Sequence, residues 1–470
     1  MTVTVELIAE EYVLNPSIST LRLYMVATVL WPALSTFAQE PTARERQLAE
    51  LVHKLSAKVE QLEARLDKLE DTAGNRATQA RVTQLEENIE QIKKEGPPAP
   101  DSREWARIRE WASNDLSLQP YWKEGLRLDS FDGSVKLKIG GRIQHDTAYF
   151  IEGDRIERRI GAQFDDNSEF RRTRLYLSGV IYDNIEFKTE FDFAGGDADF
   201  KDVYVGFKNV PHVGNVRIGQ FKEPFSLEEL TSSNDITFLE RSLVNTLVPR
   251  RNTGIMFHDT MLDKRMTWAA GIFRQTDSFG DGLGGRDYNV TARLTGLPLY
   301  EDDGRKLIHL GVAYTHQNYE GDTYRLRARP ESHLAPRVVD TGVFSAEYGD
   351  IIIAEAAIVD GPLSLQAEYV HALIESRSRF IDDPNFWAAS VQASYFLTGE
   401  HRPYKTSSGA FDRVRPLRNF TWGSGGGAWE LAARYSYLTL NDHNIHGGRL
   451  VDLTLGVNWY LNPNLRIMWN

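Results

Sequence analysis

The sequence predicts an all-β chain, a transmembrane antiparallel β-barrel, preceded by an α-helical coiled coil. Three observations predict it. From about residue 130 to the end, apolar and polar residues alternate one for one, as in Ile185-Glu186-Phe187-Lys188-Thr189-Glu190-Phe191-Asp192-Phe193. A strand points successive side chains to opposite faces, so this segment carries one apolar and one charged face. About fifteen such segments follow one another with no second kind of domain among them. Residues 41–95, by contrast, repeat leucine every seven positions.

Alternation alone leaves two architectures open. A soluble sandwich buries the apolar faces, whereas a membrane barrel turns them to lipid and encloses the polar ones around water. Strand lengths near ten residues favour the barrel, and so does the absence of a fixed repeat or Greek-key rhythm. Trp429, Tyr437, Trp459 and Tyr460 near strand ends suit interfacial girdles, although a sandwich core accepts them too. Composition fits either: hydrophobic residues are 41% and charged residues 26% of the 470. No run approaches the roughly 18 apolar residues a membrane helix needs. The net charge of −12 argues against a nucleic-acid partner. There is no cysteine, and the eleven histidines show no metal spacing. No nucleophile elbow and no phosphate-binding loop of the nucleotide type is present, so neither an enzyme nor a metal or other cofactor is expected.

Taken in order, Leu23 to Leu34 is an apolar stretch of leader-peptide length followed by Thr36-Phe37-Ala38. It predicts a signal peptide over residues 1–38, with an uncertain start because Arg22 is its single basic flank and Glu6, Glu10 and Glu11 precede it. Residues 39–95 are the coiled coil: Leu48, Leu55, Leu62 and Leu69 fall seven apart, with Val52, Val59 and Leu66 four after the first three. Gly74-Asn75 interrupts the repeat, and Val82, Leu85, Ile89 and Ile92 resume it in a shifted register. Gly96-Pro97-Pro98-Ala99-Pro100 breaks the helix, so residues 96–125 read as a linker and a short helix. Strands are then predicted at 135–150, 170–182, 185–194, 200–208, 214–221, 253–258, 266–274, 288–297, 306–317, 350–360, 362–374, 385–398, 427–440, 449–461 and 465–470. Short turns such as Asp183-Asn184, Gly361-Pro362 and Asn462-Pro463-Asn464 alternate with longer loops, notably 222–252 and 318–349. Residues 399–426 break this rhythm, being long and basic where a short turn is due, and the 195–199 connection is short where a loop is due.

Several segments then become recognisable. Lys136-Leu137-Lys138-Ile139-Gly140-Gly141-Arg142-Ile143-Gln144, Phe170-Arg171-Arg172-Thr173-Arg174-Leu175 and Ile218-Gly219-Gln220-Phe221-Lys222-Glu223-Pro224-Phe225 resemble the phosphate-selective porins of the O and P type. So do Gly361-Pro362-Leu363-Ser364-Leu365-Gln366-Ala367-Glu368-Tyr369 and Trp429-Glu430-Leu431-Ala432-Ala433-Arg434-Tyr435-Ser436, in the same order, over residues 126–470. The resemblance implies a sixteen-stranded barrel in outer-membrane lipid, a homotrimer, and passive passage of phosphate or related small anions. About fifteen strands are present and the chain stops at Trp469-Asn470 within a strand, so the last strand is expected to be missing. The coiled coil lies outside the resemblance. In the periplasm it would contact peptidoglycan or another envelope component, and a structural tether with a barrel anchor is the competing function. A porin of the same fold without phosphate preference is a third.

The resemblance also implies site residues. Tyr324-Arg325-Leu326-Arg327-Ala328-Arg329-Pro330 matches the family's arginine ladder and, if extended, sets Arg325, Arg327 and Arg329 on one face. Arginine suits phosphate because its planar fork donates paired hydrogen bonds. The loop 222–252 resembles the constriction loop and carries Lys222, Arg241, Arg250 and Arg251 beside more numerous acids. By alternation Arg142, Arg172, Arg174, Lys188 and Arg434 face the polar side, whereas Arg171 falls on the other. The 399–426 stretch, if folded inward, would bring in Lys405, Arg413, Arg415 and Arg418 as well as Arg402.

Overall fold

A computed structural model describes residues 2–4, 118–123, 125–151, 157–158, 161–282, 288–319, 323–378, 382–423 and 425–470. The expected coiled coil lies outside the described residues, as does the expected leader apart from Thr2–Thr4. Two compact units divide the chain, one of Met1–Leu7 with Ala112–Asn470 and one of Ile8–Trp111, and the first carries the sheet.

The first strands are β1 (Thr2–Thr4), β2 (Leu118–Trp122) and β3 (Leu126–Ser130). β2 and β3 form a hairpin, so the segment ending at 125, which the sequence assigns to a linker and short helix, is a strand and turn from Leu118 onward. Of the tryptophans that suggest a packed helix there, Trp122 is among the described residues, and it is exposed at the end of β2, as suits a water–lipid boundary.

The wall follows as β4 (Val135–Ala148), β5 (Asn167–Ile181), β6 (Ile185–Asp192), β7 (Asp199–Val210), β8 (Gly214–Lys222), β9 (Arg251–Met261), β10 (Met266–Arg274), β11 (Tyr288–Glu301) and β12 (Lys306–Asn318). Two short strands, β13 (Arg327–Ala328) and β14 (Val339–Asp340), form a separate hairpin. The wall resumes with β15 (Ala346–Asp360), β16 (Leu363–Ser376) and β17 (Asn385–Phe396). A second small hairpin, β18 (Tyr404–Lys405) and β19 (Ala410–Phe411), precedes β20 (Ala428–Asp442), β21 (Ile445–Asn462) and β22 (Leu465–Trp469). The fifteen wall strands pair antiparallel with their sequence neighbours, in the order the alternation predicts. At the turn between β15 and β16, Gly361 takes φ 54, the positive angle that a two-residue primed hairpin needs at its first position. The two ends of the wall, β4 and β22, do not pair with each other. β1 lies between them, antiparallel to β22 over three positions and meeting β4 at Val3↔His145 alone. β3 pairs with the lower part of β4 from Leu126↔Ile139 to Asp129↔Lys136.

Burial decides between the two architectures left open by alternation. On β21 Leu453 is 72% exposed and Leu455 66%, whereas Asn458 is fully buried. On β20 Leu431 and Tyr435 are exposed and Glu430, Arg434 and Ser436 are buried. A water-soluble sandwich inverts this order; a sheet with its apolar face to lipid produces it.

The inner face is not uniformly polar. Ile351, Ile353, Val370, Ala372, Phe386, Ala388, Leu438 and Leu440 form an apolar patch on it. Loop residues pack there: Leu243, Val244, Leu247 and Val248 from the segment between β8 and β9, and Leu326, Ala328, Val339 and Phe344 from that between β12 and β15. A second inner cluster joins Leu227 to Tyr404, Ala410 and Phe411, so the anomalous 399–426 stretch is folded inward. The Phe411 amide donates to Thr231 Oγ1 at 3.3 Å, and Arg402 stacks its guanidinium 3.7 Å from the Phe411 ring centroid. Phe411→Ala is expected to lower stability by about 3–5 kcal/mol, the range for emptying a buried aromatic site. Urea unfolding of the refolded protein in detergent reads this, and an unchanged midpoint would show that the segment is not anchored by this ring.

Candidate functional site

The segment between β8 and β9 is held by buried polar contacts from its first residue. Glu223, fully buried, accepts from Asn252 Nδ2 at 2.6 Å, Asn289 Nδ2 at 2.7 Å and the Thr291 hydroxyl. One turn of helix, α1 (Leu227–Leu230), follows; Ser226 caps it by accepting from the Glu229 amide at 3.0 Å. The Ser226 hydroxyl donates in turn to Glu368 of β16 at 3.0 Å. Arg241 closes the loop on itself, donating to the carbonyls of Glu228, Glu229 and Thr231 at 3.0, 3.1 and 3.0 Å and pairing with the Glu229 carboxylate at 3.0 Å.

The segment between β12 and β15 is shaped by its own alternation. Leu326 and Ala328 are buried against the inner apolar patch, so Arg325, Arg327 and Arg329 are turned away from it. Arg325 pairs with Asp340 across the small hairpin, its Nε 2.8 Å from Oδ1.

Beside these segments lies a cavity of about 820 Å³. Its lining holds eleven lysines and arginines against five aspartates and glutamates. Most of the acids are neutralised locally. Glu229 pairs with Arg241 and, at 3.3 Å, Lys222. Glu240 pairs with Arg171 at 2.5 Å and Arg172 at 3.5 Å, Asp199 with Lys201 at 3.2 Å, and Glu331 with Arg434. The Asp277 carboxylate accepts the amides of Phe279 and Asp281 at 2.8 and 3.0 Å. Arg250, Arg327, Arg329 and Arg337 line the same cavity and, among the described residues, have no ion-pair partner. Their crowding is felt by Arg337, which burial and then the charges of Arg327, Arg329, Arg250 and Arg325 hold below the usual arginine range. Uncompensated guanidinium groups around a wet cavity are an arrangement for binding a polyvalent oxyanion.

The cavity therefore brings together Arg172, Arg174, Lys222, Arg241, Arg250, Arg251, Arg327 and Arg329 of the residues singled out from sequence. Arg174 is engaged by Asp192 at 2.7 Å and Glu190 at 3.0 Å, and Arg251 by Asp202 at 2.7 Å. Others lie elsewhere. Lys188 is tied to Glu190 at 2.5 Å and Asp202 at 2.7 Å. Arg434 is buried, held by Glu331 and by Glu228 at 3.3 Å. Arg142, hydrogen-bonded to Asn234, and Arg413, which donates to Asn464 at 2.7 Å, line a smaller cavity of about 40 Å³. Arg325, Lys405, Arg415 and Arg418 are exposed and outside the large cavity.

Alternation alone misplaces Arg171. The register of β4 and β5 shifts between Gln144 and His145, so Gln144 faces Arg172 while His145 faces Phe170. Arg171 is the extra residue of that bulge, which turns it inward onto Glu240 and into the cavity lining. Two consecutive arginines in an alternating strand are the signal that could have located it. Lys201 and Arg337 also line the cavity and were not singled out by sequence.

The two glutamates that hold the loop stay charged in acid. Burial raises Glu229, but Arg241, Lys222, Arg251 and Arg250 outweigh it and bring it to about 2 from 4.5. Burial likewise raises Glu240, and Arg172 and Arg171 bring it to about 2. Because both values are depressed in the folded state, the stabilisation is complete above 4.5 and is lost as pH falls through 4.5 toward 2. Single-channel chloride currents are thus expected to be equally quiet at about pH 7 and pH 5 and to turn noisy near pH 3. Noise that sets in already near pH 5 would contradict this electrostatic hold.

The profile of the family "Phosphate-selective porin O and P" matches residues 137–470. Porin O of Pseudomonas aeruginosa is 27% identical over 382 residues, covering 73% of this chain and 84% of that protein. An uncharacterized protein of Caulobacter vibrioides is 28% identical over 392 residues, covering 80% of this chain and 76% of its own length. Among solved structures, an anion-selective porin from Comamonas acidovorans aligns at 15% identity with a TM-score of 0.44, covering 71% of this chain and 87% of that one.

Proposed function

The chain belongs to the family of phosphate-selective porins O and P, and from that premise we propose that it passes phosphate or a related polyanion across an outer membrane by passive diffusion through an arginine-lined pore. As a porin it is a channel and not an enzyme. The observation that carries the phosphate reading is the charge of the large cavity, where eleven lysines and arginines face five aspartates and glutamates and where, among the described residues, Arg250, Arg327, Arg329 and Arg337 make no ion pair. Excess positive charge attracts anions in general, and several planar forks in one cavity favour a tetrahedral oxyanion that accepts from more than one of them. In this reading the fifteen wall strands belong to a closed barrel of the family's sixteen-stranded, homotrimeric type, and closure is required because an unpaired edge in lipid is costly. The segment 399–426 lies inside it and narrows the lumen.

Planar-bilayer recording tests the proposal. A potassium chloride gradient is expected to give a reversal potential of anion-selective sign, and added phosphate is expected to block the chloride current. Anion selectivity without block would leave a porin lacking phosphate preference, and cation selectivity would overturn the reading altogether.

A further inference from the structure

We propose that Glu331 is a positioning residue for anion binding: its buried carboxylate clamps the arginine-bearing segment to both the constriction loop and the wall. This rests on the pore reading above. By charge alone Glu331 is misplaced. It lies two residues after Arg329, in the lining of a cavity where cations outnumber acids, and an acid there repels the anion.

Its contacts give another role. Oε2 accepts from Arg434 Nε at 2.8 Å, from a second Arg434 nitrogen and from the Thr454 hydroxyl at 2.7 Å. Oε1 accepts the Leu243 amide at 3.2 Å. One side chain, 4% exposed, thereby joins β20, β21 and the loop between β8 and β9. Arg434 completes the joint by donating to the Glu240 carbonyl at 3.0 Å and Glu228 at 3.3 Å, with Phe238 stacked 4.4 Å from its guanidinium. Both loops are therefore referenced to the same point of the wall.

The backbone is consistent with a held position. Glu331 has φ 26, and its amide donates to the Arg329 carbonyl at 3.0 Å. A non-glycine residue persists in that region only where its surroundings over-determine it. Arg327 and Arg329 are long, rotamer-rich side chains, so their backbone must be fixed for both to reach one anion.

Glu331→Gln and Glu331→Asp separate charge from position. The first removes the charge and nearly keeps the shape; the second keeps the charge and shortens the reach. Positioning predicts that both raise the phosphate concentration for half-block, by roughly tenfold, and lower anion preference. An effect of charge alone predicts tighter block for Glu331→Gln and wild-type behaviour for Glu331→Asp, and either wild-type block for Glu331→Asp or tighter block for Glu331→Gln overturns the proposal. Single-channel recording counts only inserted channels. Should neither variant insert, Thr454→Val removes one hydrogen bond to the same carboxylate and is expected to weaken block about fivefold; unchanged block there also overturns it. The chloride reversal potential is read in every case. A wild-type channel that phosphate does not block sinks the phosphate reading, and the clamp is then decided by whether the two Glu331 variants lose chloride preference.

Discussion

Replacing Arg327 and Arg329 together with glutamine is expected to raise the phosphate concentration for half-block roughly a hundredfold. A hydrogen bond to a charged group contributes about 1.5–3 kcal/mol, or tenfold and more for each arginine removed. Glutamine retains the length and the polar end, and Leu326 and Ala328 keep their places in the inner apolar cluster. The change is therefore electrostatic, not a loss of packing. Arg250 and Arg337 remain in the cavity, so block is weakened and not abolished. Arg325→Gln is the informative companion. Its guanidinium is already committed to Asp340 and lies outside the cavity lining, so its loss is expected to change block by less than either of the other two. Equal effects from all three arginines would mean that they act as one ladder, as the family resemblance implies. No effect from Arg327 and Arg329 would remove them from the anion path.

Arg293→Ala is expected to cost as much stability as emptying the Phe411 site. Arg293 of β11 is almost wholly buried, and its Nε lies 2.9 Å from Oε1 of Glu355, itself fully buried on β15. Its other nitrogens donate to the carbonyls of Gly409 at 2.8 Å and Ser408 at 3.4 Å, so this residue ties the inward segment to the wall. Truncation leaves Glu355 with His309, 3.3 Å away, as its remaining partner. Breaking a buried pair from one side costs about 3–5 kcal/mol because the other charge stays in a low-dielectric site. The unfolding midpoint in detergent should fall accordingly. Limited digestion with trypsin should also cut faster after Arg413, whose neighbour Val414 is buried in the native segment. A lowered midpoint with unchanged cleavage would show that Arg293 supports the wall and does not hold the segment.

Much of the wall was legible before any coordinates. Every strand predicted from alternation is present in the same order, and the runs around Leu431 and Leu453 mark the exposed apolar face correctly because a strand has a period of two. The length and charge of 399–426 marked it as anomalous, and the family resemblance implied that it folds inward; that Tyr404, Ala410 and Phe411 anchor it while Lys405, Arg415 and Arg418 stay exposed was not readable. Other features were not legible either. Arg171 falls on the apolar side by strict alternation, because a bulge adds one residue to one strand only; the adjacent Arg171 and Arg172 are its one trace in the sequence. The tryptophan-rich segment before 126 reads as helix, yet Leu118–Trp122 pairs with β3.

The strands, their order, the faces of their regular stretches and the family are all legible in the chain of residues. Which arginines are left without an ion-pair partner is set by the folded arrangement. Arg434 and Arg327 both fall on polar faces, but Arg434 meets Glu331 from 103 residues away and is buried with it, while Arg327, opposite an Asp340 already held by Arg325, makes no ion pair among the described residues. Periodicity is a local property that assigns a side chain to a face. Charge compensation is set by loops that return to the wall from distant parts of the chain, and no spacing within a strand records where they land.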